Sequence, residues 1–351
     1  VSARARGTGA VVAAIAFLLT GCTGGPAGDG VSSPGPSGSA SPDEDGGDDD
    51  GADGESGAGG VHDANPVIDT DFPDPDVLEV DGTWYAYATN GNSRNVRVAR
   101  SADLVTWEEL PDAMPDLPTW VIPGKTWAPE VTRLEDGRFA LYFTATSFRP
   151  TAQCIGVALA DSPEGPFVAV GEQMLVCPDA EGGAIDASTF TDADGTRYLL
   201  WKNDGNCCGL DTWLQLAPLS ADGTALAGEP VRLVQQDQPW EGSLVEAPTL
   251  VERDGTYVLL YSANDYGGPA YAIGYATATS VLGPYTKAPE PLFTTDTFEG
   301  RYAGPGGQDV VAGPDGEDRL VFHSWYGSTT YRAMNVLPLT WEGGRPVLPD
   351  A

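Results

Sequence analysis

Positive charge is scarce in this 351-residue chain: 18 Lys and Arg stand against 51 Asp and Glu, a net charge of −33. So acidic a surface repels nucleic acid and anionic lipid and suits a neutral ligand. Histidine is scarcer, with two residues, and none of the five cysteines makes a Cys-x-x-Cys pair. That argues against a zinc site, a Ser/His/Asp nucleophile or dithiol redox chemistry. No apolar run is long enough to span a bilayer. No long stretch carries a 3.6-residue apolar period either, which argues against a helical domain.

What the chain does contain divides it in three. In residues 1–22, Arg4 and Arg6 precede an apolar run from Val11 to Leu19, and Leu19-Thr20-Gly21-Cys22 closes it, the pattern of an export signal. These last four residues resemble the bacterial lipobox, which implies a lipidated Cys22 as the only membrane contact of an exported, outward-facing protein. Residues 23–60 lack Leu, Ile, aromatic and basic residues altogether and hold nine acids. They cannot bury enough surface to fold, and their self-repulsion predicts an extended acidic tether. Residues 61–351 keep a net charge of −26 (42 acids, 16 bases) and hold the folded part.

Within 61–351 one unit recurs five times: an acid or amide, a short apolar run, an Asp-Gly turn, then an aromatic or apolar strand. The turns are Asp81-Gly82, Asp136-Gly137, Asp194-Gly195, Asp254-Gly255 and Asp315-Gly316, spaced by 55, 58, 60 and 61 residues. Asp-Gly favours tight hairpins, because both turn positions take positive φ. A period of this length suits a four-stranded blade with its connections, and five units predict an all-β, five-bladed β-propeller. The heads of the five units are Asp74, Glu130, Asp186, Glu246 and Gln308. Innermost propeller strands surround one axis, so these residues are expected to converge there. Clustered carboxyls raise one another's pKa, which is what a general acid needs near neutral pH.

At these heads the chain resembles glycoside hydrolase family 43. The matching segments are Asn65-Pro66-Val67, Phe72-Pro73-Asp74-Pro75-Asp76, Trp127-Ala128-Pro129-Glu130, Ile185-Asp186-Ala187-Ser188, Glu246-Ala247-Pro248 and Gly304-Pro305-Gly306. The resemblance spans the whole folded part. It implies inverting hydrolysis of an arabinose- or xylose-containing plant glycan, with Asp74 as general base, Glu246 as general acid and Asp186 tuning and orienting the acid. An α-L-arabinofuranosidase or β-xylosidase is expected; the rivals are an endo-1,5-α-L-arabinanase and a non-catalytic carbohydrate-binding propeller. The chemistry so implied requires no cofactor. Family members often carry a His directly after the glycine turn, near a central metal ion; Gly307 and Gln308 stand there, which leaves a structural calcium ion without its usual neighbour.

Further substrate contacts are expected from Trp127, as a stacking platform or else a core residue, and more weakly from Phe72 and Trp240. Glu130 is read as a supporting or ligand-binding acid, and Gln308 as its counterpart heading the fifth unit. Arg301 either bonds sugar hydroxyls or is a surface residue, and His323 either faces the axis or lies in the core. Besides Cys22, four cysteines remain. Cys154 and Cys177 bracket the second half of the second unit and are expected to pair, leaving Cys207 and Cys208 to form a vicinal pair or stay as thiols. A monomer is expected.

Overall fold

A computed structural model describes residues 65–350; the export signal and the tether lie outside them. Five antiparallel sheets follow one another along the chain. Blade one is β1 (Asp76–Val80), β2 (Thr83–Ala88), β3 (Arg97–Ser101) and β4 (Trp107–Glu109). Blade two is β5 (Val121–Arg133), β6 (Phe139–Ser147), β7 (Gln153–Ala160) and β8 (Val168–Ala169). Blade three is β9 (Ala184–Thr191), β10 (Arg197–Asn203), β11 (Trp213–Pro218) and β12 (Val231–Gln235). Blade four is β13 (Val245–Arg253), β14 (Thr256–Ala263), β15 (Ala272–Ala278) and β16 (Thr286–Lys287). The fifth sheet has three strands, β17 (Ala303–Ala312), β18 (Asp318–Tyr326) and β19 (Tyr331–Pro338), followed by a ribbon of β20 (Thr340–Glu342) and β21 (Arg345–Val347). The protein is a five-bladed β-propeller.

The missing fourth strand of blade five shows how the ring closes. The segment ahead of β1 runs beside β19: Val67 N donates to Met334 O (2.9 Å), Met334 N to Ile68 O (3.3 Å) and Phe72 N to Arg332 O (2.7 Å). From inside the ring, Trp84 Nε1 donates to Ala312 O (2.9 Å). Sequence from both ends of the folded part is therefore stitched into one junction, which ties blade one to blade five.

The Asp-Gly turns take two forms. In blades one and four both residues have positive φ (53° and 82°; 54° and 77°), as a two-residue hairpin loop requires. In blades two, three and five only the Gly does, because the loop is longer and places Gly at the left-handed position after a tighter turn, as where Gly137 N bonds Leu134 O.

Period-two alternation feeds two cores at once. In β10, Leu199 and Trp201 pack towards blade two, while Leu200 packs towards blade four. In β14, Leu259 and Tyr261 face blade three, and Val258 and Leu260 face blade five. Both faces of each middle strand are thus buried between neighbouring blades. Cys154 and Cys177 are bonded, joining β7 to the segment beside it, and Cys207 and Cys208 pair with each other in the short turn Gly205–Cys208.

Phe72 lies in the core at the closing junction, wholly buried beneath the Arg97 guanidinium 4.8 Å from its ring centre. The expectation of a sugar platform there is corrected: no face of the ring is open. Phe72→Ala is expected to cost about 3–5 kcal/mol of stability, measured by denaturant unfolding, with KM for substrate unchanged in the folded fraction. A raised KM at unchanged stability would restore the platform.

Candidate active site

Each blade carries a kink within or just ahead of its innermost strand. Asp74, Ala128, Asp186, Ala247 and Gly307 have φ of 55°, 41°, 59°, 49° and 55°, and the pairing register slips beside them in blades two to five. Four of these are not Gly, a strain of about 1–2 kcal/mol each. The kink aims the backbone N–H at the preceding blade, where a side chain accepts it. Asp74 N donates to His323 Nδ1 (3.0 Å), Ala128 N to Thr89 Oγ1 (2.9 Å), Asp186 N to Thr144 Oγ1 (3.1 Å) and Gly307 N to Ser262 Oγ (2.9 Å). The fifth N–H, on Ala247, goes instead to Asp186 Oδ2 (3.0 Å).

Superposing the kinks sorts the acids into layers. Asp74 and Asp186 are kink residues, and Glu246 immediately precedes one. Glu130 sits two positions after its kink, level with Asp76 and Asp309, and so belongs to a deeper ring than the sequence grouping implies. That ring also staples blades: Val131 N donates to Asp76 Oδ2 (2.8 Å), Thr189 N to Glu130 Oε1 (2.8 Å) and Val77 N to Asp309 Oδ2 (2.9 Å). All three acids line the axial cavity together with Asp74 and Asp186.

In the upper layer, Asp74 accepts from Thr89 Oγ1 (2.7 Å) and lies 3.4 Å from Arg332 Nη1. Arg332 is held over the rings of Tyr266 and Trp325, at 5.1 and 5.7 Å. Glu246 is gripped at both oxygens: Tyr271 Oη donates to Oε1 (2.8 Å) and Lys202 Nζ to Oε2 (3.0 Å). Tyr271 reaches it because Gly306 has no side chain; a Cβ there would overlap the Tyr271 ring. Asp186 feels the charge of both other acids. Burial, then the Glu246 charge, and to a smaller degree Asp74, push its carboxyl up to about 8 against the opposing pull of Lys202. A shared proton among closely set carboxyls is the electrostatic signature of an acid/base pair.

The family model for glycosyl hydrolases family 43 matches residues 64–346. The chain belongs to this family. It is similar to an extracellular exo-α-(1→5)-L-arabinofuranosidase of Streptomyces chartreusis (30% identical over 280 residues, 74% of this chain and 81% of that one). It is also similar to a β-D-galactofuranosidase of Aspergillus niger (27% over 286 residues, 76% and 78%). Among solved structures, a thermostable family-43 glycoside hydrolase matches with a TM-score of 0.72 at 31% identity, covering 80% of this chain and 94% of that one. The protein is a glycoside hydrolase.

The remaining expected contacts fare unequally in this family 43 propeller. Trp127 is half-buried in β5 beside its kink, level with Glu246, and Lys125 Nζ lies 5.8 Å from its ring centre. Gln308 is buried, with both ends of its amide used internally: Ser262 Oγ donates to Oε1 (2.7 Å) and Nε2 donates to Ala247 O (2.5 Å). It cross-links blades four and five while lining the axial cavity. His323 is fully buried and stacked on Tyr271 at 5.9 Å. Burial, then Arg332, hold its pKa well below 6.5, so the neutral ring accepts from Asp74 N and positions that residue without touching the ligand. Arg301 is exposed ahead of β17 and does not line the axial cavity. Trp240 is half-buried and stacked on Tyr261 at 5.9 Å. Beside the glycine turn His323 Nδ1 accepts from Asp74 N, while His323 Nε2 is buried without a hydrogen-bond partner; among the described residues no group of three or more His, Cys, Asp or Glu side chains is arranged for a metal ion. Sequence reasoning missed Lys202 on β10, Tyr271 just ahead of β15 and Arg332 on β19, all outside any motif.

The deep ring has a price in pH. Burial pushes Glu130 up to about 7 and Asp309 to about 6, and burial followed by the Glu130 and Asp309 charges raises Asp76 further. A raised carboxyl pKa means that the fold binds the proton more tightly than the unfolded chain. That stability is fully present below the ordinary values of 3.8 to 4.5 and is lost as pH rises through about 6 and 7. Glu130→Gln keeps the acceptor for Thr189 and removes the charge. It is expected to raise stability on the order of 1–2 kcal/mol at pH 8, allowing for contact with the cavity, and to change little at pH 4.5. Thermal unfolding at the two pH values checks this; an equal change at both would contradict the assignment.

Proposed function

We propose that this hydrolase releases arabinose or xylose from plant-wall glycans by single inverting displacement, as an α-L-arabinofuranosidase or β-xylosidase. The observation that carries the reading is the unlike treatment of Asp74 and Glu246, the two carboxyls whose charges act on Asp186. Asp74 is fixed by Thr89, Arg332 and the His323-anchored backbone, while Glu246 is held by Tyr271 and Lys202. Inverting hydrolysis needs two such groups about 6.5–9.5 Å apart, one activating water and one protonating the leaving oxygen. In this reading Asp74 takes the proton of the attacking water. Glu246 gives its proton to the glycosidic oxygen. Asp186 accepts the N–H of Ala247, the residue after Glu246, and so keeps the acid oriented. Trp127 offers an apolar face to the sugar ring.

Two relatives named above act by name on furanosides, which supports the five-membered arabinofuranosyl ring over the xylopyranosyl one. The Streptomyces relative is named extracellular, in keeping with export of this chain through its N-terminal signal and anchoring at Cys22. We take the working form to be a monomer without a cofactor.

Glu246→Gln is expected to lower kcat on unactivated glycan by about 10²–10⁴-fold, the usual worth of a general acid, and to lower it far less on a nitrophenyl glycoside, whose leaving group needs no proton. Activity near wild type on the glycan would remove the acid assignment. Proton NMR of the first-formed sugar is expected to show inverted anomeric configuration, and retention would rule the mechanism out. Hydrolysis of aryl α-L-arabinofuranoside, aryl β-D-xyloside, aryl β-D-galactofuranoside and linear arabinan identifies the sugar. Rapid loss of viscosity with linear arabinan would instead mark an endo-arabinanase.

A further inference from the structure

Five second-strand positions face the five kinks. They hold Thr89, Thr144, Lys202, Ser262 and His323, each opposite the residue that precedes a kink. Four are acceptors and catch the kink N–H. Lysine has donors only and cannot; at that junction Asp186 takes the N–H of Ala247 instead. The fold therefore asks for a small acceptor here, and the chain supplies a cation that is 2% exposed. A buried ammonium costs several kcal/mol unless it is paired. It is paired twice, with Glu246 Oε2 at 3.0 Å and with Asp204 Oδ1 at 3.6 Å. Four blades form the same junction without a cation, so the fold does not account for this one.

We propose that Lys202 is the positioning residue of the general acid: its ammonium holds the carboxylate that Glu246 becomes on protonating the leaving oxygen, and turns to Asp204 when Glu246 is neutral.

This rests on the reading of Glu246 as the acid. In the step itself the Glu246 O–H bond breaks, the proton joins the glycosidic oxygen, and the electron pair of the C1–O bond leaves with the aglycone. Water adds to C1 and loses its proton to Asp74. No electron is transferred to or from the protein, and the two carboxyls exchange their protons with solvent before the next turnover. Glu246 is neutral before the step and negative after it, so a neighbouring cation favours the product side of proton transfer. A permanent ion pair would hold Glu246 ionised and unable to donate. Asp204, 13% exposed and one turn of chain away, offers the ammonium a second partner in the neutral state. The groups facing Glu246 are Lys202 from β10, Asp186 from β9, Asp204 from the loop after β10 and Tyr271 ahead of β15. Burial, foremost, raises Asp186, Asp204 and Tyr271 alike. Lys202 is the one cation in this set, so the charge of the acid answers to its position.

The test is the pH profile of kcat/KM for the full chain, on an unactivated oligosaccharide and on the nitrophenyl glycoside it cleaves. Lys202→Met removes the cation: the alkaline limb is expected to move up by at least about one pH unit, and kcat to fall at least tenfold more on the oligosaccharide than on the nitrophenyl substrate. Asp204→Asn removes the alternative partner and leaves the ammonium on Glu246, so the alkaline limb is expected to move down. Opposite shifts support the proposal. An unmoved limb, shifts of the same sign, or equal losses on both substrates would overturn it. Should Lys202→Met not fold, the direction of the Asp204→Asn shift decides alone. Wild-type activity of Glu246→Gln would instead overturn the acid assignment itself, a separate outcome.

Discussion

Five backbone N–H groups, one at the kinked head of each innermost strand, need acceptors in a place that water scarcely reaches. A buried N–H left without one costs about 1–3 kcal/mol, and the strained kinks persist only if their surroundings hold them. The solution is circular. Each blade lends a side chain to the head of the next, so no head is complete until its predecessor is docked. The same contacts that close the ring set the direction in which Asp74, Asp186 and Glu246 project. The site is thus a by-product of ring closure, and its precision comes from five junctions together.

This coupling has an electrostatic cost. Carboxylates accept N–H groups well, and the deep ring uses Asp76, Glu130 and Asp309 for that purpose. Three acids around one narrow axis repel one another and resist ionisation. The upper layer escapes the problem by bringing in Arg332 beside Asp74 and Lys202 beside Glu246. In a folded part with a net charge of −26, two of the few cations are placed at these two carboxylates. The deep ring has no such partner, and its acids are harder to ionise than usual.

The blade count, the hairpin turns and the three upper acids were legible in the sequence, because a hairpin with an Asp-Gly turn must recur wherever a blade does. The layer of Glu130 was also legible, had loop length been considered. Counted back from the Asp of each turn, the kinks lie 7, 8, 8, 7 and 8 residues upstream, the shorter count falling in blades one and four with two-residue loops. Glu130 lies only 6 upstream of Asp136 and cannot be a kink residue. Phe72 was misjudged for a different reason: an aromatic beside a catalytic motif looks the same whether it faces sugar or core, and only the closure against β19 buries it. Lys202, Tyr271 and Arg332 gave no local signal, since what makes each one matter is a partner 44, 25 or 258 residues away.

A repeated fold supplies five equivalent positions, while glycoside hydrolysis needs two carboxyls in unlike roles. Function must therefore appear as departures from the repeat. At the kink itself the residues are Asp, Ala, Asp, Ala and Gly, and at the position before it Pro73, Trp127, Ile185, Glu246 and Gly306. At the opposing second-strand position, four acceptors and one lysine stand in a row. The departures cluster: Glu246 at the head of blade four and Lys202 opposite it in blade three are bonded to each other, and Asp186, which takes the Ala247 N–H at the same junction, feels the charge of both. On the other side Asp74 departs at the closing junction, where His323 replaces a hydroxyl and Arg332 enters from β19. The ring thus departs from its own symmetry in two places, and each of them brings a cation to a carboxylate at the axis.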